Sequence, residues 1–138
     1  MINSVNVASA SVSANSNVLF PTDSVRTKSS TGCCGWLAHD LGSGIFTLTK
    51  PGIYEISYNA NITSTDTGQA SLVLEQNGEA IGGTQSIYTI ATASALGNVN
   101  ATTLVKVPCG ASYTITLTNN STLALNVQEA SIVITKLA

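Results

Sequence analysis

The chain has 138 residues, of which 43% are apolar and 9% charged, with a formal net charge of −2. That length suits one domain with a substantial core. The charged fraction is far below the usual ~25%, so the surface must be built from Ser, Thr, Asn, Gln and Gly, a composition that favours burial in an assembly. The charge balance gives no basic footprint for nucleic acid, and no apolar run is long enough to cross a membrane as a helix. The opening Met1-Ile-Asn-Ser-Val-Asn-Val7 lacks the basic-then-apolar order of a secretory signal, so synthesis in a cytoplasm is expected.

In chain order, Val5 and Val7, then Val18 and Phe20, predict opening strands. Residues 22–44 are irregular and predict a long functional loop or a linker. A strand over residues 45–50 stops at the turn pair Pro51-Gly52. Residues 53–63 form the clearest strand, with Tyr54, Ile56, Tyr58, Ala60 and Ile62 on one face and Glu55, Ser57, Asn59 and Asn61 on the other. Residues 69–76 carry Leu72 and Leu74 on one face and lead into Asn77-Gly78, a type I′ hairpin signal. The returning strand over residues 79–85 is weakened by Gly82-Gly83, and residues 90–96 read as a loop. Residues 101–107 and 112–118 form a second hairpin around Pro108-Cys109-Gly110. The final strand begins near residue 123. Its apolar face changes phase between Val127 and Ile132, which predicts a bulge or corner. Alternation that persists almost to Ala138 predicts a C-terminus enclosed by the fold.

Roughly eight to ten short strands at this spacing predict an all-β sandwich. The expected core comprises Tyr54, Ile56, Tyr58, Leu72, Leu74, Ile115, Leu117 and Ile132.

Chemistry-bearing residues are few. Cys33, Cys34 and Cys109 make a poor disulfide framework: adjacent cysteines rarely bridge each other, which leaves free thiols or a bond from the pair to Cys109. His39, the only histidine, lies near Cys33 and Cys34, but the spacing fits no standard zinc site and offers no fourth ligand. Nothing nearby resembles an oxyanion loop for a Cys/His hydrolase, which ranks below the non-enzymatic readings. Neither a catalytic group nor a cofactor or metal is expected. Four Asn-x-Ser/Thr matches, Asn61, Asn100, Asn119 and Asn120, are ordinary in a chain this rich in Asn, Ser and Thr. Loops carry recognition in sandwich folds, which directs attention to residues 31–40 with Trp36 and His39, residues 64–68, and residues 82–98 with Tyr88.

Pro51-Gly-Ile-Tyr-Glu-Ile-Ser-Tyr-Asn-Ala-Asn-Ile-Thr63 resembles the glycine-aromatic strand of the complement-head and tumour-necrosis-factor-like jelly roll. Ser71-Leu-Val-Leu-Glu-Gln-Asn-Gly-Glu79 and Leu104-Val-Lys-Val-Pro-Cys-Gly110 extend that resemblance. The ending Ala130-Ser-Ile-Val-Ile-Thr-Lys-Leu137 is similar to the end of the C-terminal domain of collagen-like spore-surface glycoproteins. The stretch 17–20, Asn-Val-Leu-Phe, and Trp36-Leu-Ala-His39 followed by Gly42-Ser-Gly44, resemble a bacterial and bacteriophage branch of the superfamily. The resemblance implies a two-sheet jelly roll of about ten strands that assembles as a homotrimer. It implies a non-enzymatic head on a bacteriophage particle, as decoration, fibre or receptor-binding tip. The alternative is a bacterial or spore-surface adhesion domain. Residues 1–14 would be an N-terminal strand or attachment segment that meets other virion or surface proteins, and residues 15–138 the jelly roll. Host-surface glycans are the expected outside ligand. The acidic calcium clusters of some complement-type heads are absent, so the resemblance implies no calcium.

Overall fold

The computed structural model describes residues 1–27 and 35–138. Among the described residues there are twelve strands, more than expected from sequence. They are β1 (Ile2–Asn6), β2 (Ala10–Val12), β3 (Thr22–Arg26), β4 (Leu37–Ala38), β5 (Phe46–Leu48) and β6 (Gly52–Thr63), then β7 (Gly68–Gln76), β8 (Glu79–Ala80), β9 (Ser86–Ile90), β10 (Gly97–Val107), β11 (Tyr113–Asn119) and β12 (Leu125–Lys136). They make two antiparallel six-stranded sheets. The front sheet runs β10-β6-β12-β1-β3, with β2 beside β12. The back sheet runs β4-β5-β11-β7-β8, with β9 beside β7.

The irregular stretch 22–44 contains β3 and β4, two short edge strands with few apolar residues, which is why periodicity missed them. Val18 and Phe20 are buried without being in a strand; an isolated bridge from Asn17 to Thr118 holds that segment against the back sheet. Residues 82–98 are not one loop. The Gly82-Gly83 turn breaks the returning strand into β8 and β9, which lie end to end along β7. β10 then begins at Gly97, four residues before its expected start.

The inner faces of both sheets share one apolar layer. The eight residues assigned to the core, Tyr54, Ile56, Tyr58, Leu72, Leu74, Ile115, Leu117 and Ile132, are all buried. Phe20 and Phe46 meet edge to face at 5.7 Å beside them. The hairpin at Asn77-Gly78 has φ of 51° and 83°, the paired positive angles of a type I′ turn.

The phase change in β12 is a bulge. Gln128 faces Asn61 and Ser131 faces Asn59, so Glu129 and Ala130 together oppose Ala60. Glu129 takes φ 49°, which returns Ala130 and Ile132 to the inner face. β12 is central: β6 lines one edge, and β1 and β2 share the other on either side of the bulge. The chain ends outside the core, since Leu137 and Ala138 are exposed. Ala138 instead caps β6, its carbonyl accepting from the Ile53 amide at 3.1 Å. Any Cβ on Gly52, at φ 150°, would collide with that carbonyl, so Pro51-Gly52 is as much a docking point for the C-terminus as a turn. Residues 2–6 pair within the front sheet as a strand.

Tyr58 brings a hydroxyl into the core. Its hydroxyl lies 2.7 Å from the Thr84 carbonyl and 3.0 Å from the Leu72 carbonyl. Burial pushes its pKa up to about 12, with a backbone hydrogen bond at Ser86 opposing the shift. Burial also raises that of Tyr54, which donates to the Lys50 carbonyl. Below the unfolded value near 10, both states hold the phenolic proton and stability is level. Between about pH 10 and 12 only the unfolded state loses it, so stability should fall by up to ~1.4 kcal/mol per pH unit for this residue. Urea titrations across that window should show the decline, and Tyr58→Phe should flatten it. Replacing Ile56 by Ala should cost about 2–5 kcal/mol in the same assay at neutral pH.

Candidate functional site

Three places in the fold gather polar side chains: an inter-sheet cluster at His39, the outer face of the front sheet, and a depression on the outer face of the back sheet.

His39 follows β4 and lies under the edge strand β3. Its Nδ1 is 2.9 Å from Asp23 Oδ1, and its Nε2 donates to the Ser43 carbonyl at 3.0 Å. The ring stacks on Phe46 with centroids 4.1 Å apart and planes 12° apart. The Ser4 hydroxyl also donates to Asp23, while Arg26 reaches both Asp23 Oδ2 and the His39 carbonyl at 3.3 Å. Asp23 thus ties β1, β3 and the segment after β4 together, joining the edges of the two sheets. The His39 side chain has no exposed surface and both nitrogens are engaged. Its place in a loop suggested recognition; the structure makes it a buried bridge.

Trp36 is half-buried, its ring 5.4 Å from Tyr54, and its carbonyl accepts from the Thr49 amide. Tyr88 is also half-buried. It lies in β9, paired with Ala70, on the inner face of the back sheet. Its ring covers Gly97 of β10 so closely that any Cβ there would overlap it. Tyr88 therefore closes one edge of the sandwich, and the loop position assigned to it is corrected by the existence of β9. The loop at residues 64–68 is pinned as well: Ser64 donates to the Ala124 carbonyl at 2.9 Å and accepts from the Asp66 amide at 3.2 Å. Cys109 is exposed at the β10–β11 turn, while Cys33 and Cys34 lie outside the described residues. Among the described residues, no three His, Cys, Asp or Glu side chains converge as a metal site.

The outer face of the front sheet was not marked by any single motif. Asn98 Nδ2 donates to Asn59 Oδ1 at 2.8 Å and to Asn61 Oδ1 at 2.9 Å, and Asn100 Nδ2 donates to Asn98 Oδ1 at 3.0 Å. Thr102 donates to Ser57 at 3.2 Å in the next row. Period two had placed Asn59 and Asn61 on one face; only the β6–β10 register sets Asn98 and Asn100 beside them. Exposed Ile53, Leu104 and Val25 lie on the same face. This face is therefore sparsely charged and partly apolar, with Glu55 opposite Leu104 and Lys106 opposite Ile53.

Neither a family model nor a curated protein matches this sequence. Solved structures do. The globular domain of zebrafish complement 1qA superposes with a TM-score of 0.69 at 12% identity, covering 99% of this chain and 96% of that one. The Eiger TNF from S. frugiperda gives 0.72 at 13% identity, covering 99% and 92%. The PRD1 vertex protein P5 gives 0.52 at 14% identity, covering 99% and 96%. At these identities the likeness establishes the fold: a two-sheet jelly roll of the complement-head and tumour-necrosis-factor type.

Asp23→Ala strips His39 and Ser4 of their shared acceptor inside the protein and should lower the unfolding free energy by about 3 kcal/mol. Tyr88→Ala should open a cavity over Gly97 and cost about 2 kcal/mol or more. Chemical denaturation of both variants against the parent checks these values. A parent-like midpoint for Tyr88→Ala would return that ring to the list of ligand-facing groups.

Proposed function

We propose that this protein is a non-catalytic structural and binding module that assembles as a homotrimer through the outer face of its front sheet, on the surface of a bacteriophage particle. The observation that carries the assembly is that face itself. β10 forms an eleven-residue edge strand whose outward side chains are Asn98, Asn100, Thr102, Leu104 and Lys106. Soluble proteins defend long edges with charge, proline or bulges, and here β10 itself presents one lysine at one end, with Glu55 on the neighbouring strand. Beside it lies the amide ladder, with exposed Leu104 and Ile53 further along the same two strands. A sparsely charged face with exposed apolar side chains and directional amides suits a partner of the same composition, and a second copy supplies one.

The non-catalytic reading is supported by the commitment of His39 to Asp23 and the Ser43 carbonyl, which leaves neither nitrogen to activate a nucleophile. The particle reading is supported by the low charge, by the resemblance to the bacteriophage branch, and by a fold shared over nearly the whole chain with a protein described as a vertex protein. Residues 1–14 would meet other particle proteins as part of the front sheet, where β1 and β2 pair with β12.

Sedimentation of the purified protein at micromolar concentration should give three times the 14.1 kDa chain mass. Asn98→Asp together with Leu104→Lys should shift it to monomer while leaving the circular dichroism spectrum unchanged. A parent that sediments as a folded monomer would overturn the assembly. Cryo-electron microscopy of purified particles tests the location, and density for this jelly roll at a vertex, fibre or tip is the expected result.

A further inference from the structure

The back sheet turns away from the amide ladder, and its outer face holds a depression of about 210 Å³ lined by Gln69, Ser71, Gln85, Ile87, Asn120 and Ser121, with Thr122 at its rim. The floor is β7, one wall is β9 with the residue before it, and the other wall is the turn between β11 and β12. We infer that this depression is a binding site for one ring of a neutral sugar.

The turn wall is rigid. Asn119, with no exposed surface, donates from Nδ2 to the Val12 carbonyl at 3.0 Å and to the Leu123 carbonyl at 2.8 Å. Its Oδ1 accepts from the Ser121 amide at 3.0 Å and from the Ser121 hydroxyl at 2.6 Å. A single buried carboxamide thus holds the loop that presents Asn120 and Thr122. Ser71, only 4% exposed, donates to Asn120 Oδ1 at 2.6 Å. That bond orients the Asn120 carboxamide and directs its Nδ2 donors elsewhere. The paired Asn-x-Ser/Thr matches at residues 119–122 acquire a meaning here: Asn119 is the lock, and Asn120 is the group it presents.

The lining selects a ligand class by its chemistry. Three carboxamides and three hydroxyls supply both donors and acceptors, and no charged side chain is among them. An anion or cation would find no counter-charge, whereas each sugar hydroxyl both donates and accepts. Gln69 and Gln85 are exposed, and neither side chain is engaged in a hydrogen bond among the described residues. Ile87 is 54% exposed at the edge of the depression, an aliphatic surface for the C–H face of a ring. Presetting the wall lowers the ordering cost that limits small polar sites. Three copies on one trimer would add avidity to a weak single site. The depression and the proposed assembly face belong to different sheets, so sugar titration and sedimentation fail independently.

Saturation-transfer NMR on the full chain tests the site, with methyl glycosides of glucose, galactose, mannose and N-acetylglucosamine titrated through the millimolar range. At least one should give a transfer signal, and Asn120→Ala and Gln85→Ala should each weaken its binding by about tenfold with melting temperatures close to the parent. Gln85→Ala removes no hydrogen bond from the fold, so it keeps the test decisive if Asn120→Ala is destabilised. Absence of signal from all four sugars would overturn the inference. So would parent-like binding by Gln85→Ala, or a stronger signal from N-acetylneuraminic acid than from every neutral sugar.

Discussion

The pairing of β12 along both of its edges is the constraint on which the rest of the molecule depends. A strand with β6 on one side and β1 and β2 on the other has its backbone groups satisfied within the sheet, so only its side-chain faces remain to be placed. The inner face must fill the space above the back sheet without a gap. The bulge at Glu129 is the solution. A strictly alternating strand would carry the apolar set of one half out to the solvent side in the other half. The extra residue absorbs the slip, and it falls where β2 gives way to β1 on the neighbouring edge. A local backbone irregularity thus lets the two N-terminal strands and the C-terminal strand share one register.

Closing the sandwich leaves its margins to be sealed, and each margin is sealed differently. At the β9–β10 edge an aromatic ring lies over a glycine, Tyr88 on Gly97. At the β3–β4 edge a buried carboxylate and imidazole replace apolar contact, and every polar atom of that cluster is engaged by a neighbour. Ser4, Asp23 and His39 come from separate stretches of chain, so the cluster works only when β1, β3 and the segment after β4 are all in place. Such a bridge specifies how the sheets meet more than it adds stability, since burying charge costs much of what pairing returns. At the β6–β12 end the terminal carbonyl of Ala138 fills the space over Gly52.

The two outer faces differ in kind although both carry little charge. The front face is built from long strands with asparagines in register, and its hydrogen-bonding groups mostly satisfy one another. Such a surface loses little when water is removed and suits an extended contact. The back face is ridged, because the turn at residues 119–123 rises beside β7, and several of its carboxamides remain unengaged. A concave surface with free donors and acceptors suits a small polar ligand. The same scarcity of charged residues therefore serves adhesion between subunits on one side and selectivity for neutral ligands on the other.

Period-two alternation determined the long strands β6, β7 and β11 and most of β10 and β12, because burying one face of a sheet demands it locally. The Asn77-Gly78 turn and the bulge were legible for the same reason: each is a backbone requirement written in adjacent residues. The short strands β3, β4 and β9 were not legible, since they are edge pieces whose pairing comes from a neighbour and not from their own apolar content. The roles of His39 and Tyr88 were likewise decided by tertiary structure. From sequence both were polar or aromatic residues in weakly patterned stretches. Asp23, sixteen residues before His39, and Gly97, nine after Tyr88, supply the contacts that bury them. The amide ladder and the neutral depression depend on which strands lie side by side, and register between strands distant in the chain is a property of the folded sheets alone.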